Sequence, residues 1–541
     1  MNLVKGLALS LTLVFVVAGV AAQTPQWQWA LGAGGTGDDF GYSIASDGQG
    51  NQYVTGCFEG TATFGPYTLT SSGYGDIFAA KLDPNGNWLW AVRAGGISYD
   101  DGYSIAVDGA GNAYLTGDFY YSADFGPYTI TSSGWNEIFA AKLDPNGNWL
   151  WAVRAGGTFY DDGYGIAVDG AGNAYLTGFY TLSASFGPFT LTSSGSSDVF
   201  AAKLDPDGNW LWAVRAGGIH DDYGQGIAVD GAGNAYLTGF FYGSAAFGPY
   251  TLTSSGMNDD YVAKLDPDGN FLWAVRAGGT SDDYCKGIAV DGAGNAWLTG
   301  GFQGSPAFGP YTLTTSGSYD IFAAKLDPNG NFLWAVRAGG ESSDGCYGMV
   351  VDGSGDAYLT GYFSGSSAVF GAYTLASSGS TDIYAAKLDP DGNWLWAVRA
   401  GGTSQDYCSC IAVDGSGKAY LTGYFYGSAA FGPYTLASSG NNDIFVAKIA
   451  TPAAFPSSPE NIAITRFGND ILLSWDPVTL DTYNQALIPD GYRVYSSSDA
   501  DPESFYLLGE ATGTSYTHAG AAIYFGKFFY MVTAFKNQGA R

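Results

Sequence analysis

The segment Trp-Ala-Val-Arg-Ala-Gly-Gly returns along this chain at a nearly fixed interval, with its Trp at Trp29, Trp90, Trp151, Trp212, Trp273, Trp334 and Trp396. Leu31 and Gly32 replace Val-Arg in the first copy. Five steps of 61 residues and one of 62 separate the seven copies. A long, regular period restricts a chain to solenoids, propellers or arrays, because a single unit cannot bury its apolar face alone.

The copy that begins near residue 90 reads as four short strands. Ser104-Ile105-Ala106-Val107 ends at Asp108-Gly109, and Asn112 to Gly117 follows as its hairpin partner; Asp-Gly supports the positive φ of a tight turn. Ile138 to Leu143 gives a third strand. Asp144-Pro145-Asn146-Gly147-Asn148 makes a turn, and Trp149 to Val153 the fourth strand. Four antiparallel strands per copy, without helical periodicity, describe a propeller blade. The paired rings, such as Trp149 and Trp151, share one strand face and are expected to pack blade on blade; Phe271 and Phe332 stand in two copies.

The last copy stops after its third strand, Asp443 to Lys448, while Trp27 to Leu31 precedes the first complete hairpin. The expected fold is therefore all-β: a seven-bladed β-propeller closed by its N-terminal strand, with a β-sandwich after it. An open array would show polar caps and two free edges. The expected domains are a signal peptide at 1–22, the propeller at 23–450, a Pro-marked linker at 451–459, and a second domain at 460–541. In that second domain Trp475, Tyr492 and Tyr530 resemble the pattern of a fibronectin type III domain. Little chain follows Tyr530, so a sandwich short of its last strand is expected.

The opening residues, Lys5 followed by apolar Leu7–Val17 and small residues to Ala22, read as a leader for export. No other run reaches the roughly 20 apolar residues of a membrane span. A secreted or cell-surface monomer is expected. Acids outnumber bases 50 to 21, for a net charge of −29. That argues against nucleic acid and anionic membranes as partners and suits cations, neutral glycans or basic proteins.

The run Asp-Ile-Phe-Ala-Ala-Lys-Leu-Asp-Pro-Asn-Gly-Asn, then Ile-Ala-Val-Asp-Gly-Ala-Gly-Asn-Ala-Tyr-Leu-Thr-Gly, resembles the bacterial SBBP-type β-propeller repeat over residues 26–450. The resemblance implies secreted or surface-associated propellers, often joined to fibronectin-like modules. It carries no catalytic residues.

Three acidic positions recur. Asp39, Asp100, Asp161, Asp222, Asp283, Asp344 and Asp406 precede the innermost strand. They are either candidate cation ligands around an axial mouth, or acceptors for backbone amides or for the Arg of their own repeat (Arg93, Arg154, Arg215, Arg276, Arg337, Arg399). Asp47, Asp108 and their copies belong to the hairpin turn. Asp83-Pro84-Asn85-Gly86-Asn87 and its copies look like half a calcium loop without the bidentate Glu. Cys285, Cys346 and Cys408 occupy equivalent places on successive repeats, at roughly 6–7 Å if neighbouring strands adjoin. A disulfide between one adjacent pair, or three small buried side chains, are the two readings.

The segments before the first strand and after the second differ most among copies, and antiparallel topology puts both on one face. Tyr99, Phe119, Tyr120, Tyr121, Phe159, Tyr160, Phe179, Tyr180, His220 and Phe302 are its candidate ligand-binding residues. The expected activity is non-catalytic binding, adhesion or scaffolding toward an extracellular protein or glycan, with no cofactor. The alternative is a propeller enzyme, quinoprotein-like or acting on glycosides through paired carboxylates. Against it, Cys408 and Cys410 are not vicinal, and His220 and His518 are the only histidines.

Overall fold

The computed structural model describes residues 25–450, 463–467, 470–477, 491–497, 506–518 and 529–535. The expected leader (1–22) and linker (451–459) lie outside the described residues. The chain divides into two compact units, one of them Pro25–Ala450. The described secondary structure is all β, in repeated antiparallel sheets.

The second copy shows how one repeat is built. Asp100–Val107, Ala113–Phe125, Tyr128–Leu143 and Trp149–Ala155 pair antiparallel in that order. The third strand is buried along Asn136 to Leu143, on both sides of the pleat, because neighbouring repeats cover both faces of the sheet. The first turn differs from the expectation in one detail. Positive φ (83°) falls on Gly111, not on the Gly that follows Asp108, and Gly111 N–H donates to Asp108 O at 2.9 Å. The connection is a type I turn closed by a left-handed Gly, the longer of the common hairpin loops.

The apolar core lies between repeats. Each core cluster of this unit joins two consecutive copies, as when Tyr53, Ile77 and Trp90 pack against Leu115, Phe119 and Phe139. Polar bonds follow the same direction. Tyr114 Oη donates to Gly172 O at 3.0 Å, Trp151 Nε1 to Pro206 O at 3.0 Å, and Lys142 Nζ to Pro206 O at 3.1 Å. The Lys142 ammonium also lies 4.6 Å from the Tyr114 ring centre. The Asp-Pro turn thus presents a bare carbonyl to the preceding repeat's Trp and Lys.

The Ala-Gly-Gly end of the fourth strand is a latch onto the next copy. Gly217 and Gly218 pair with Ala246 and Ala245 of the following hairpin. A Cβ on Gly218 would sit 1.9 Å from Ser244 O, so only a hydrogen fits there.

The ends of the array meet. Gln26–Gly35 pairs antiparallel with Tyr434–Ala450, Ala30 opposite Ala447 and Ala33 opposite Ile444. Its last residues, Gly34 and Gly35, pair with Thr63 and Ala62 of the first copy. Ile44 and Val54 share a core cluster with Tyr420, Ile444 and Val446. Asp39–Ser46 lies beside both Asp100–Val107 and Asp406–Val413. Each individual sheet stays open.

Cys285, Cys346 and Cys408 are buried free thiols, the second of the two readings, and no bridge joins them. Each points along its own hairpin: Cys346 Sγ donates to Thr360 O and Cys408 Sγ to Thr422 O, both at 3.3 Å.

The other unit has two three-stranded sheets among the described residues. Ala463–Phe467, Asp470–Ser474 and Ser515–His518 form one; Tyr506–Ala511, Gly491–Ser497 and Phe529–Phe535 form the other. Leu473 and Trp475 of the first share a core with Tyr492, Val494 and Val532 of the second.

Candidate functional site: an asymmetric mouth on a symmetric scaffold

Each of the seven aspartates at the start of a repeat's first strand accepts a backbone amide. Asp100 accepts Gly96 N–H at 2.6 Å and Tyr120 N–H at 3.0 Å; Asp161 accepts Gly157 N–H at 2.7 Å and Thr181 N–H at 2.9 Å. Asp39, Asp222, Asp283, Asp344 and Asp406 accept the equivalent Gly amide at 2.6–2.8 Å. All seven are buried, so the backbone-amide reading holds for the set. Burial pushes the carboxyls of Asp39, Asp100, Asp161, Asp222 and Asp283 up to about 7. It takes Asp344 and Asp406 to about 6. The amides pull the other way and lose.

The Arg half of that expectation is corrected. Arg93, Arg215, Arg337 and Arg399 pair with Asp76, Asp198, Asp320 and Asp382 of the third strand. Arg154 pairs with Glu137 and Arg276 with Asp259. Phe78 stands opposite Arg93 in the ladder, so the acid two residues earlier shares its face and lies on the diagonal.

The turn acids satisfy themselves. Asp83 Oδ1 accepts the amides of Asn85 and Asn87 at 2.8 and 2.9 Å, and its Oδ2 takes Asn87 Nδ2 at 2.8 Å. Asp108 repeats the pattern. Among the described residues no three His, Cys, Asp or Glu side chains converge closely enough to hold a metal ion.

The candidate binding residues separate into two groups. Tyr99, Tyr121, Phe159, Tyr160 and His220 are exposed. Phe119, Tyr180 and Phe302 are fully buried in the inter-repeat core, because alternate residues of the second strand face it; Phe179, on the opposite face from Tyr180, is buried against Tyr164 and Tyr223. Tyr120 is half-buried beside Tyr121. Sequence reasoning missed two exposed partners. Tyr74 stacks on Tyr99 with ring centres 5.2 Å apart, and Trp135 stacks on Tyr160 at 5.6 Å. In the later copies the equivalents of Tyr74 are Ser196, Met257, Ser318, Ser380 and Asn441. The aromatic crescent thus belongs to the first three repeats.

Tyr121 and Leu182 are the non-Gly residues with positive φ, 59° and 63°, among those described. The same position holds Gly60, Gly243, Gly304, Gly365 and Gly427 in the other copies, each with positive φ. Left-handed backbone costs a residue with a Cβ about 1–2 kcal/mol. Both residues are nevertheless largely exposed, 59% and 50%, and neither belongs to a core cluster.

Inside the crescent is a cavity of about 430 Å³ to which every repeat contributes. One strand position supplies Tyr42, Tyr103, Tyr164, Gln225, Lys286, Tyr347 and Ser409, so the wall changes character around the circuit. Tyr42, Tyr103 and Tyr164 form a contiguous run of rings, with centres 5.6 and 5.3 Å apart. Lys286 lies opposite in character and donates to Gln225 Oε1 at 2.9 Å. The signal that would have found this wall was available: column-by-column comparison of the copies at inward positions, where residue type is not dictated by the core.

Residues 89–118, 150–186 and 211–239 match the SBBP β-propeller repeat. An uncharacterized WD repeat-containing protein, L264, of Acanthamoeba polyphaga mimivirus is 24% identical over 73% of this chain. The regulatory protein FlaEY of Caulobacter vibrioides is 26% identical over 59%. The chain covers 36% of the length of each. Among solved structures, Sqt1 from Chaetomium thermophilum aligns with 83% of this chain and 97% of its own, at 12% identity and a TM-score of 0.38. YCF48 bound to a D1 peptide aligns with 81% and 100%, at 10% identity and a TM-score of 0.37. The chain carries SBBP β-propeller repeats in three places and is similar to a WD-repeat protein.

Proposed function

We propose that the repeats form a seven-bladed β-propeller closed by its own N-terminal strand, and that it serves outside the cell as a non-catalytic binding scaffold. The aromatic crescent of the first three repeats is its recognition surface, an extracellular protein its partner, and the fibronectin-like second unit its spacer. Pairing of Gln26–Gly35 with the last copy supports the closed ring. The observation that carries the binding reading is the strained pair Tyr121 and Leu182. Unfavourable backbone held in place for two exposed apolar side chains is a cost that folding does not require.

The test uses the whole chain and a displayed peptide library. Peptides selected on the wild type are scored against the Tyr121→Gly, Leu182→Gly double variant. Selected peptides should lose about tenfold or more in affinity. The variant's melting temperature should hold or rise, since Gly relieves the strain. Equal affinity for both proteins refutes the crescent as the recognition surface, and a fall in stability refutes the strain argument.

A further inference from the structure

Behind the aromatic run of the cavity stands a group of polar side chains that breaks the repeat. At the position of Asp101 and Asp162 the other copies hold Phe40, Tyr223, Tyr284, Gly345 and Tyr407. At the position of Asp118 they hold Cys57, Phe179, Phe240, Gly301, Tyr362 and Tyr424. Three carboxyls have therefore entered adjacent repeats where aromatic or small residues are the rule.

Two of them are joined by one amide. Asn136 Nδ2 donates to Asp118 Oδ2 at 3.2 Å and also to Asp162 Oδ1. The Tyr164 hydroxyl, on the cavity wall, donates to Asp162 Oδ2 at 3.0 Å. Tyr103, its neighbour on that wall, stands beside Asp101 and Asp118. Asp101 and Asp162 are half-buried, Asp118 and Asn136 buried.

The group is rich in acceptors and poor in donors. None of its three carboxyls forms an ion pair among the described residues. Asn136 Nδ2 bonds to two carboxyls, and burial with the neighbouring acids Asp162 and Asp101 pushes the Asp118 carboxyl well above the usual range. Asn136 Oδ1, in a residue only 5% exposed, is left without a donor. A buried acceptor without a partner costs about 1–3 kcal/mol. The part lacking is a positively charged group with several N–H donors. The spread of the carboxyls is too wide for a metal ion, but an ammonium or guanidinium reaches several acceptors at once and is attracted by the faces of tyrosine rings.

We propose that Asp101, Asp118, Asn136 and Asp162, with Tyr103 and Tyr164, form a site in the axial mouth for an organic cation, an ammonium or guanidinium group. The proposal names the ligand chemistry of the face read above as a binding face, but its residues are distinct from the crescent. Tyr103 and Tyr164 line the cavity in front of the carboxyls, and Lys286 lines it in another repeat.

The test titrates n-butylammonium and n-butylguanidinium chloride into the full chain by calorimetry at matched ionic strength. Saturable binding is expected, weakened about tenfold or more by Asp162→Asn, one charge-assisted hydrogen bond's worth. Exposed Asp124 controls for general charge, and Asp124→Asn should leave affinity unchanged. Asp101→Asn serves if Asp162→Asn fails to fold. A Lys-containing pentapeptide and its acetyl-lysine counterpart separate the sources. A peptide that binds tighter than butylammonium and loses affinity on acetylation marks a partner's side chain, and equal affinity marks a free amine. Absence of saturable binding, or equal weakening by Asp124→Asn, overturns the proposal. Selected library peptides without basic residues would overturn it while leaving the crescent intact. Amine binding without peptide selection would do the reverse.

Discussion

Replacing Gly218 by Ala asks whether the Gly-Gly of each repeat is a latch between repeats or a mere hinge. The backbone of Gly218 lies outside the left-handed region, so Ala meets no torsional objection there. The objection is contact: the new Cβ falls 1.9 Å from Ser244 O and 2.9 Å from Ser244 C, both backbone atoms. The hairpin of the fourth repeat must retreat by more than an ångström. That breaks the pairing of Gly217 with Ala246 and of Gly218 with Ala245. It also loosens the 2.6 Å bond from Gly218 N–H to the Asp222 carboxylate. Two ladder bonds at about 1 kcal/mol each and one bond to a charged acceptor at about 1.5–3 kcal/mol give a loss of about 3–5 kcal/mol. Urea unfolding followed by tryptophan fluorescence reads this as a lower midpoint at unchanged slope. A methyl group on Gly231 would meet nothing within 4 Å, and its φ is ordinary, so Gly231→Ala should stay within about 0.5 kcal/mol of wild type. If the two variants unfold at the same urea concentration, close approach is not why these glycines are there.

Two further outcomes follow from the same interfaces. Trp212→Phe removes the 3.0 Å bond from Nε1 to Pro267 O and should cost about 1 kcal/mol, whereas Trp212→Ala also empties the space against Tyr175 and should cost about 3–5 kcal/mol; equal losses would discard the bond. The buried aspartates make the protein more stable in mild acid. Their carboxyls are raised from 3.8 to about 6–7, so between pH 4 and 7 the folded chain holds protons that the unfolded chain has released. That stability is lost as pH rises through 6–7. Burial raises the turn carboxyls of Asp83, Asp144 and Asp205, but Asn side-chain and backbone donors together outweigh it and hold them below the usual range, so their contribution is lost as pH falls below about 4. Stability therefore falls on both sides of about pH 4, thermal melts should peak there, and a melting temperature at pH 8 equal to or above that at pH 4 would contradict the assignment.

What the sequence made legible was whatever depends on local pattern. The hairpins follow from Asp-Gly and Asp-Pro-Asn-Gly punctuation between short apolar runs, and the partner of Trp27 to Leu31 from a missing fourth strand. What it hid depends on registration across strands and on close approach. The partner of Arg93 could not be read, because Asp76 and Asp100 are both acids near it in sequence logic and only the ladder puts Asp76 on its face. Phe119 and Tyr120 looked equally available for a ligand until alternation sent the first into the core. Cys346 and Cys408 had the right spacing for a bridge, yet each thiol lies along its own hairpin.

The repeat itself explains why the candidate site is asymmetric. A residue that docks one copy on the next, such as Trp151, Lys142 or Gly218, is held to one identity because its partner recurs in the neighbouring copy. A residue facing the cavity has no such partner, so Tyr42, Gln225, Lys286 and Ser409 can occupy one equivalent place. Identity is therefore largely conserved within the chain where packing demands it, with buried Asp260 in place of Ile or Val as an exception, and most of the difference lies where packing is silent. Drift alone would scatter that difference over the circuit. Here Asp101, Asp118 and Asp162 fall in adjacent repeats, Asp118 and Asp162 are joined through Asn136, and Tyr121 and Leu182, in strained backbone, belong to the same two repeats. Several independent departures that cooperate in one place are the mark of a site rather than of relaxed constraint.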